Sequence, residues 1–261
     1  MNQIIILYFG LIISLLAGIS FIHLLPRLGK QGREISDWFC YAPGIDIALA
    51  YLMLMPVLIG TIVLGWLGLG TALLAELSSL WIWIIVHELT HRKELAEANI
   101  HRTMSQIVGK GRNHLAVWIT ALAVPTFWVV RFTELIVYPP LTSLIKLPKY
   151  NQKEWVNVSR HKFEGLVGYD LIWCLYCDWM TGVWSLGTEM LRNVESFWCP
   201  ISFYDNKKCE NCQIDFPDVA DGWVSADGSM KDVTEVLKSK YTEEQTERSW
   251  FGHPSRKDRD E

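Results

Sequence analysis

Long uncharged stretches fill the first half of the chain, and their lengths set its class. Ile4 to Leu25 is an almost unbroken apolar run, ended by His23, Pro26 and Arg27. As a helix rising about 1.5 Å per residue, it covers a hydrocarbon core of about 30 Å. Ile47 to Val86 is apolar apart from Glu76. One helix of that length would reach about 60 Å, twice the core, so the segment has to fold back. Gly65, Gly68 and Gly70 place the turn and predict helices over about 47–67 and 70–91. A further segment, Leu115 to Val137, has the length to span and holds Pro125, with Arg131 and Glu134 at i,i+3 on one helix face.

Charge in the connections sets an expected orientation. Arg27, Lys30 and Arg33 follow the first run, and Arg92, Lys93, Arg102, Lys110 and Arg112 follow the third helix. The positive-inside rule then puts both loops in the cytoplasm, with the N-terminus outside and residues 87–91 at a cytoplasmic helix end. The rule conflicts with a simple span at 115–137, because Lys146, Lys149, Lys153, Arg160 and Lys162 come next. Either that segment turns back at Pro125, or residues 165–187 return through the bilayer. Met1-Asn2-Gln3 lacks a basic leader, so the first run is read as a retained anchor.

Composition agrees with this pattern. Half of the residues are hydrophobic and 20% are charged, which excludes disordered and coiled-coil classes. The net charge of -4 with no basic block argues against nucleic acid. Residues 201–261 are acidic, nine Lys/Arg against fourteen Asp/Glu. The expected fold is an all-α membrane protein with three or four transmembrane helices and a Cys-rich, partly irregular C-terminal module. Its divisions are a transmembrane domain over 1–140 (helices about 4–25, 47–67, 70–91 and 115–137), the module over 141–241, and a disordered tail over 242–261. Turn formers and a short helix near Val233–Lys240 fill the last part of the module.

The chemistry-bearing residues concentrate in two places. His87-Glu88-Leu89-Thr90-His91 is an H-E-x-x-H sequence. Two His at i and i+4 leave a helix on one face and can share a metal, and the Glu beside them is placed to take a proton from metal-bound water. This segment resembles the signature of zincin metallopeptidases, and the apolar turn Trp81–Val86 before it is similar to their membrane-embedded members. The resemblance implies Glu88 as catalytic base, His87 and His91 as metal ligands, and Zn²⁺ as the first-guess ion, with other divalent metals open. It covers five residues. Position 97 is Glu where metzincins carry a third His, and Asp170 and Asp178 lack the Asp-Gly setting of site-2-type proteases, so the third ligand stays unassigned. Glu76, His87, His91, Glu94 and His101 fall near one helical face, which makes Glu94 and His101 further ligands or supports of ligands. A histidine box resembling that of the alkane hydroxylases fails on arithmetic, since those sites use about eight His or more and this chain has seven with no adjacent pair.

Cys174-Leu175-Tyr176-Cys177 and Cys209-Glu210-Asn211-Cys212 form two C-x-x-C pairs, with Cys199 between them and Asp170 nearby. Four thiolates at this spacing suit one structural Zn²⁺. The first pair, in a helical setting, also resembles the redox pair of quinone-linked thiol oxidoreductases of the vitamin K epoxide reductase type. The expected function is a membrane-embedded, metal-dependent hydrolase, foremost a zinc peptidase. The alternatives are a thiol–disulfide oxidoreductase and a non-enzymatic assembly protein that meets the lipid bilayer and a membrane-protein partner or substrate.

Overall fold

A computed structural model describes residues 2–96, 99–204 and 222–244. These residues are dominated by helices, with no strand among them. In chain order the helices are α1 (Asn2–Leu24), α2 (Gly29–Trp38), α3 (Gly44–Leu49), α4 (Met55–Thr90), α5 (Arg92–Ala96), α6 (Ile100–Val108), α7 (Lys110–Ala121), α8 (Val124–Phe132), α9 (Tyr138–Leu144), α10 (Gln152–Trp155), α11 (Gly168–Trp198) and α12 (Met230–Lys240). π-helical turns at Ala50–Leu54 and Thr133–Val137 join α3 to α4 and α8 to α9. Among the described residues, three stretches are long and apolar enough to cross a membrane: Asn2–Arg27, Gly44–Thr90 and Lys110–Leu144. They fit an integral membrane protein.

The chain packs as two units, Met1–Ala123 with Gln152–Gly182, and Val124–Asn151 with Val183–Glu261. In the first, the 47 residues of Gly44–Thr90 do not form one rod. The helix breaks at Leu64 and Gly65, where Gly65 takes a left-handed φ of +57° that glycine adopts without steric cost. Gly60 and Gly68 then meet backbone to backbone, and a Cβ on Gly60 would sit 2.4 Å from the Gly68 carbonyl oxygen. An unbroken helix would hold those residues about 12 Å apart, so the chain reverses here.

α1 packs on this hairpin through small residues. Leu11 and Ile12 bury against Ala72 and Ala75, and the Tyr8 hydroxyl reaches Ser78 Oγ at 2.8 Å. Gly18 lies under the Tyr51 ring, whose hydroxyl donates to the Ser14 carbonyl at 2.7 Å. Without water to solvate them, hydroxyls in an apolar bundle bond to one another or to nearby carbonyls.

Two polar connections of the same unit are tied together. An antiparallel bridge joins Tyr41 to Asn157, with Ala42 N–H donating to Val156 O at 2.9 Å and Val158 N–H to Cys40 O at 2.8 Å. Val156 is fully buried beneath it. Gly182 of α11 is pressed against the Trp155 carbonyl, where a Cβ would stand 2.3 Å away.

In the second unit, Arg131 and Glu134 form a fully buried ion pair at 2.6 Å, spaced i,i+3 across the start of the π-helical turn. Trp128, Tyr138, Val183, Leu186 and Met190 make the apolar core around them. Gly187 leaves room for Val130 and Glu134 to approach. Arg192 pairs with Glu195 and lies over the Trp223 ring at 5.7 Å. α12 begins with a capping box between Ser229 and Asp232 and buries Val233.

Candidate functional site

The last two turns of α4 carry the H-E-x-x-H residues. Spacing of four stacks Trp83 on His87 and His87 on His91, with ring centroids 4.6 and 4.2 Å apart. The helix stops at His91, whose φ and ψ of -113° and 42° leave the helical region. His91 Nδ1 lies 3.0 Å from the His87 carbonyl. A carbonyl only accepts, so this nitrogen carries its proton.

His87 is turned the other way. Its Nδ1 accepts the backbone N–H of Gly168 at 3.1 Å, and Glu88 Oε1 accepts that of Tyr169 at 3.1 Å. These are the first two residues of α11, whose opening N–H groups have no partner inside their own helix. The motif therefore caps α11 from 81 positions upstream. Gly168 is required twice over. Its φ is +54°, and a Cβ would come within 2.2 Å of Glu88 Cγ.

This arrangement bears directly on metal binding. With Nδ1 accepting from Gly168, the neutral His87 ring holds its proton on Nε2, and neither nitrogen presents a lone pair to an ion. His91 keeps its Nε2 lone pair, so the i,i+4 pair supplies one donor in this geometry. His23, at the end of α1, brings a third imidazole to within 5.9 Å of the His87 ring centroid. Among the described residues, no group of three or more His, Cys, Asp or Glu is placed to hold a metal ion.

Beside the cap lies a cavity of about 350 Å³ lined by Glu88, His101, Ser105, Lys110, Tyr169 and Asp170, among others. It sits where α4 ends and α7 begins, at the border of two apolar stretches. Asp170 accepts from the backbone N–H groups of Ile100 at 2.8 Å and His101 at 3.1 Å, which caps α6. Asn113 is buried and donates to His101 Nδ1, the His101 carbonyl and Ser105 Oγ, at 3.2, 3.2 and 3.1 Å. An aromatic wall closes one side, with Tyr169 against His101 at 4.7 Å, His114 at 6.0 Å and Trp81 at 6.1 Å. Glu88, His101 and Asp170 thus meet at one cavity, while Glu94 is exposed on α5. Glu76 is half-buried within Gly44–Thr90, and its Oε1 makes no hydrogen bond among the described residues.

The four described cysteines, Cys40, Cys174, Cys177 and Cys199, are free thiols. Cys174 and Cys177 are half-buried on α11, and Cys199 is exposed just beyond its end. Burial pushes the Cys174 thiol up, against the opposing pull of Arg160, whereas disulfide exchange is fastest from a readily formed thiolate. Cys209 and Cys212 lie outside the described residues, so the C-terminal Cys module has no described partner for the Cys174 pair. Asp178 accepts from Ser159 and Arg160 N–H at 2.9 Å each and pairs with Arg160 Nε at 2.9 Å.

Two residues carry no sequence signal at all. Cys40 and His161 stand 121 positions apart, yet their Sγ and Nε2 atoms lie 3.8 Å from each other. Neither belongs to a motif. The long-range backbone bridge that joins them cannot be read from either segment alone.

No protein-family model, curated protein or solved structure matches this chain.

Proposed function

We propose that this chain is a membrane assembly or partner protein in which the H-E-x-x-H segment is a structural latch, fastening a membrane span to the helix α11. One observation carries the reading: the acceptors of His87 and Glu88 both go to the opening N–H groups of α11. Caps of this kind satisfy donors that water cannot easily reach. The bilayer covers the exposed apolar faces of the three long stretches, and the polar cavity beside the latch is where a partner's polar group would be received. On this reading both basic loops are cytoplasmic and the N-terminus is outside.

Glu88 separates the latch from an enzyme. Gln in its place keeps an acceptor oxygen but is not a base, and Leu removes both. The latch expects Glu88→Gln to keep the thermal midpoint of the detergent-purified protein and Glu88→Leu to lower it, with bound metal unchanged in both. Equal midpoints for the two variants would remove the latch. Impermeant thiol reagents should miss Cys placed at Gly32 or Gly109 in intact cells, and labelling at either would invert the orientation.

A zinc peptidase using Glu88, His87 and His91 is the second reading, favoured by the meeting of Glu88, His101 and Asp170 at one cavity. It requires His87 to release Gly168 and a further donor to join His91. A structural Zn²⁺ held by Cys174, Cys177, Cys209 and Cys212 is a separate part of that reading. Elemental analysis of wild type against the His87→Phe and Cys174→Ser variants tests each part alone.

A further inference from the structure

Cys40 and His161 belong to neither the latch nor the cavity. Cys40 follows α2, and its thiol has two acceptors in reach, the Ser36 carbonyl at 3.5 Å and His161 Nε2 at 3.8 Å. Both residues are held by backbone. The hydrogen bonds of Ala42 and Val158 clamp the cysteine loop to residues 156–158, and Asp178 fixes the turn Arg160–Lys162 that carries the imidazole. Cys40 is half-buried and His161 exposed, so the pair can be reached from outside.

The resting charge state follows from the surroundings. Burial and then Asp37 push the Cys40 thiol up, with Lys162 opposing. Burial and then Lys162 push the His161 imidazolium towards deprotonation, with Asp37 and Asp178 opposing. The pair rests as a thiol beside a neutral imidazole, a nucleophile with its general base next to it.

Position supplies the substrate class. The apolar stretch before Cys40 closes at Arg27 and the next opens at Gly44, so the thiol stands at a membrane border. Ile35, Trp38 and Tyr41 around it are exposed, and such side chains settle at headgroup depth. Long-chain acyl thioesters bury their tails in the same layer and keep the reactive carbonyl at its surface. A juxtamembrane thiol after an amphipathic helix is the setting in which S-acylation occurs.

We propose that Cys40 is an S-acylation site and that His161 is the base enabling it to accept a long-chain acyl group from an acyl thioester such as an acyl-coenzyme A. As Cys40 Sγ attacks the donor carbonyl carbon, His161 Nε2 takes the thiol proton. The new Sγ–C bond forms and the donor C–S bond breaks. The proton then passes from His161 to the departing thiolate, so one thioester replaces another and no oxidant or reductant is needed.

The test uses the full chain in phosphatidylcholine nanodiscs with alkyne-tagged palmitoyl-coenzyme A, mapping the label by peptide mass spectrometry. Hydroxylamine-labile label is expected on Cys40, absent in Cys40→Ala and unchanged in Cys174→Ser. His161→Gln should slow labelling about a hundredfold while the thermal midpoint holds. If that midpoint falls, His161→Gly decides, because added imidazole restores the rate only where the lost group was a base. The proposal is overturned by any of four results: no label on Cys40, equal label on the exposed Cys199, a His161→Gln rate equal to wild type (or no imidazole rescue), or acetyl-coenzyme A reacting as fast as the palmitoyl donor.

Discussion

At the end of α4, Glu88 is half-buried and accepts a backbone N–H, whereas Glu134 in the second unit is fully buried against Arg131 inside an apolar stretch. The two carboxylates meet the same difficulty, a charge away from bulk water, with different partners. A helix terminus offers backbone N–H groups that need an acceptor anyway, so an acid there satisfies both sides at small net gain. Mid-helix there are no free N–H groups, and the charge needs an opposite charge one turn away. Removing either acid should therefore have very different consequences.

Glu134→Leu is expected to show the largest effect. It leaves the Arg131 guanidinium buried without its carboxylate and should cost about 3–5 kcal/mol, while the double variant Arg131→Met/Glu134→Leu recovers most of the loss. Denaturant unfolding in detergent, followed by tryptophan fluorescence, measures both. A double variant no better than the single one would mean that the pair matters through other neighbours.

Gly168→Ala comes next, at about 1–3 kcal/mol for a left-handed residue, with the clash against Glu88 Cγ adding to it. Unchanged stability would show that the N-terminus of α11 is loosely held.

Glu88→Leu should cost about 1 kcal/mol, the range of a lost helix cap, with Glu88→Gln close to wild type. Placed beside the first prediction, this difference sharpens the contrast between a backbone-capping acid and an ion-paired one.

The smallest effect expected is a pH response confined to α12. The Ser229 hydroxyl, then the Ser229 backbone N–H, hold the Asp232 carboxyl below its ordinary value of 3.8. A depressed folded value means that the cap contributes above the unfolded value and is lost as pH falls through the folded one. NMR signals of residues 230–240 should broaden or shift on acidification below that point, and Ser229→Ala should move the change to higher pH. A titration identical in both proteins would dismiss the capping box as the cause.

Run length and helical rise are local quantities, so the sequence alone determined the helical class and the three apolar stretches long enough to cross a membrane. Length arithmetic also required a reversal within Ile47–Val86, and the backbone turns at Leu64–Gly65, at the first of the three glycines that mark the turn in the sequence. The i,i+3 placement of Arg131 and Glu134 was legible for the same reason, because both partners lie on one helix. The tertiary structure decided what the ring nitrogens and carboxylates do. The H-E-x-x-H spacing of His87 and Glu88 is local and legible, while the N–H groups that donate to them belong to residues 81 positions away. Gly168 looks like any loop glycine until Glu88 is seen packed against it. Cys40 and His161 are invisible as a pair, since a contact across 121 residues is fixed by a backbone bridge and by Asp178 rather than by a pattern. Periodicity reports which face of a helix is apolar, and only packing assigns a polar side chain its partner.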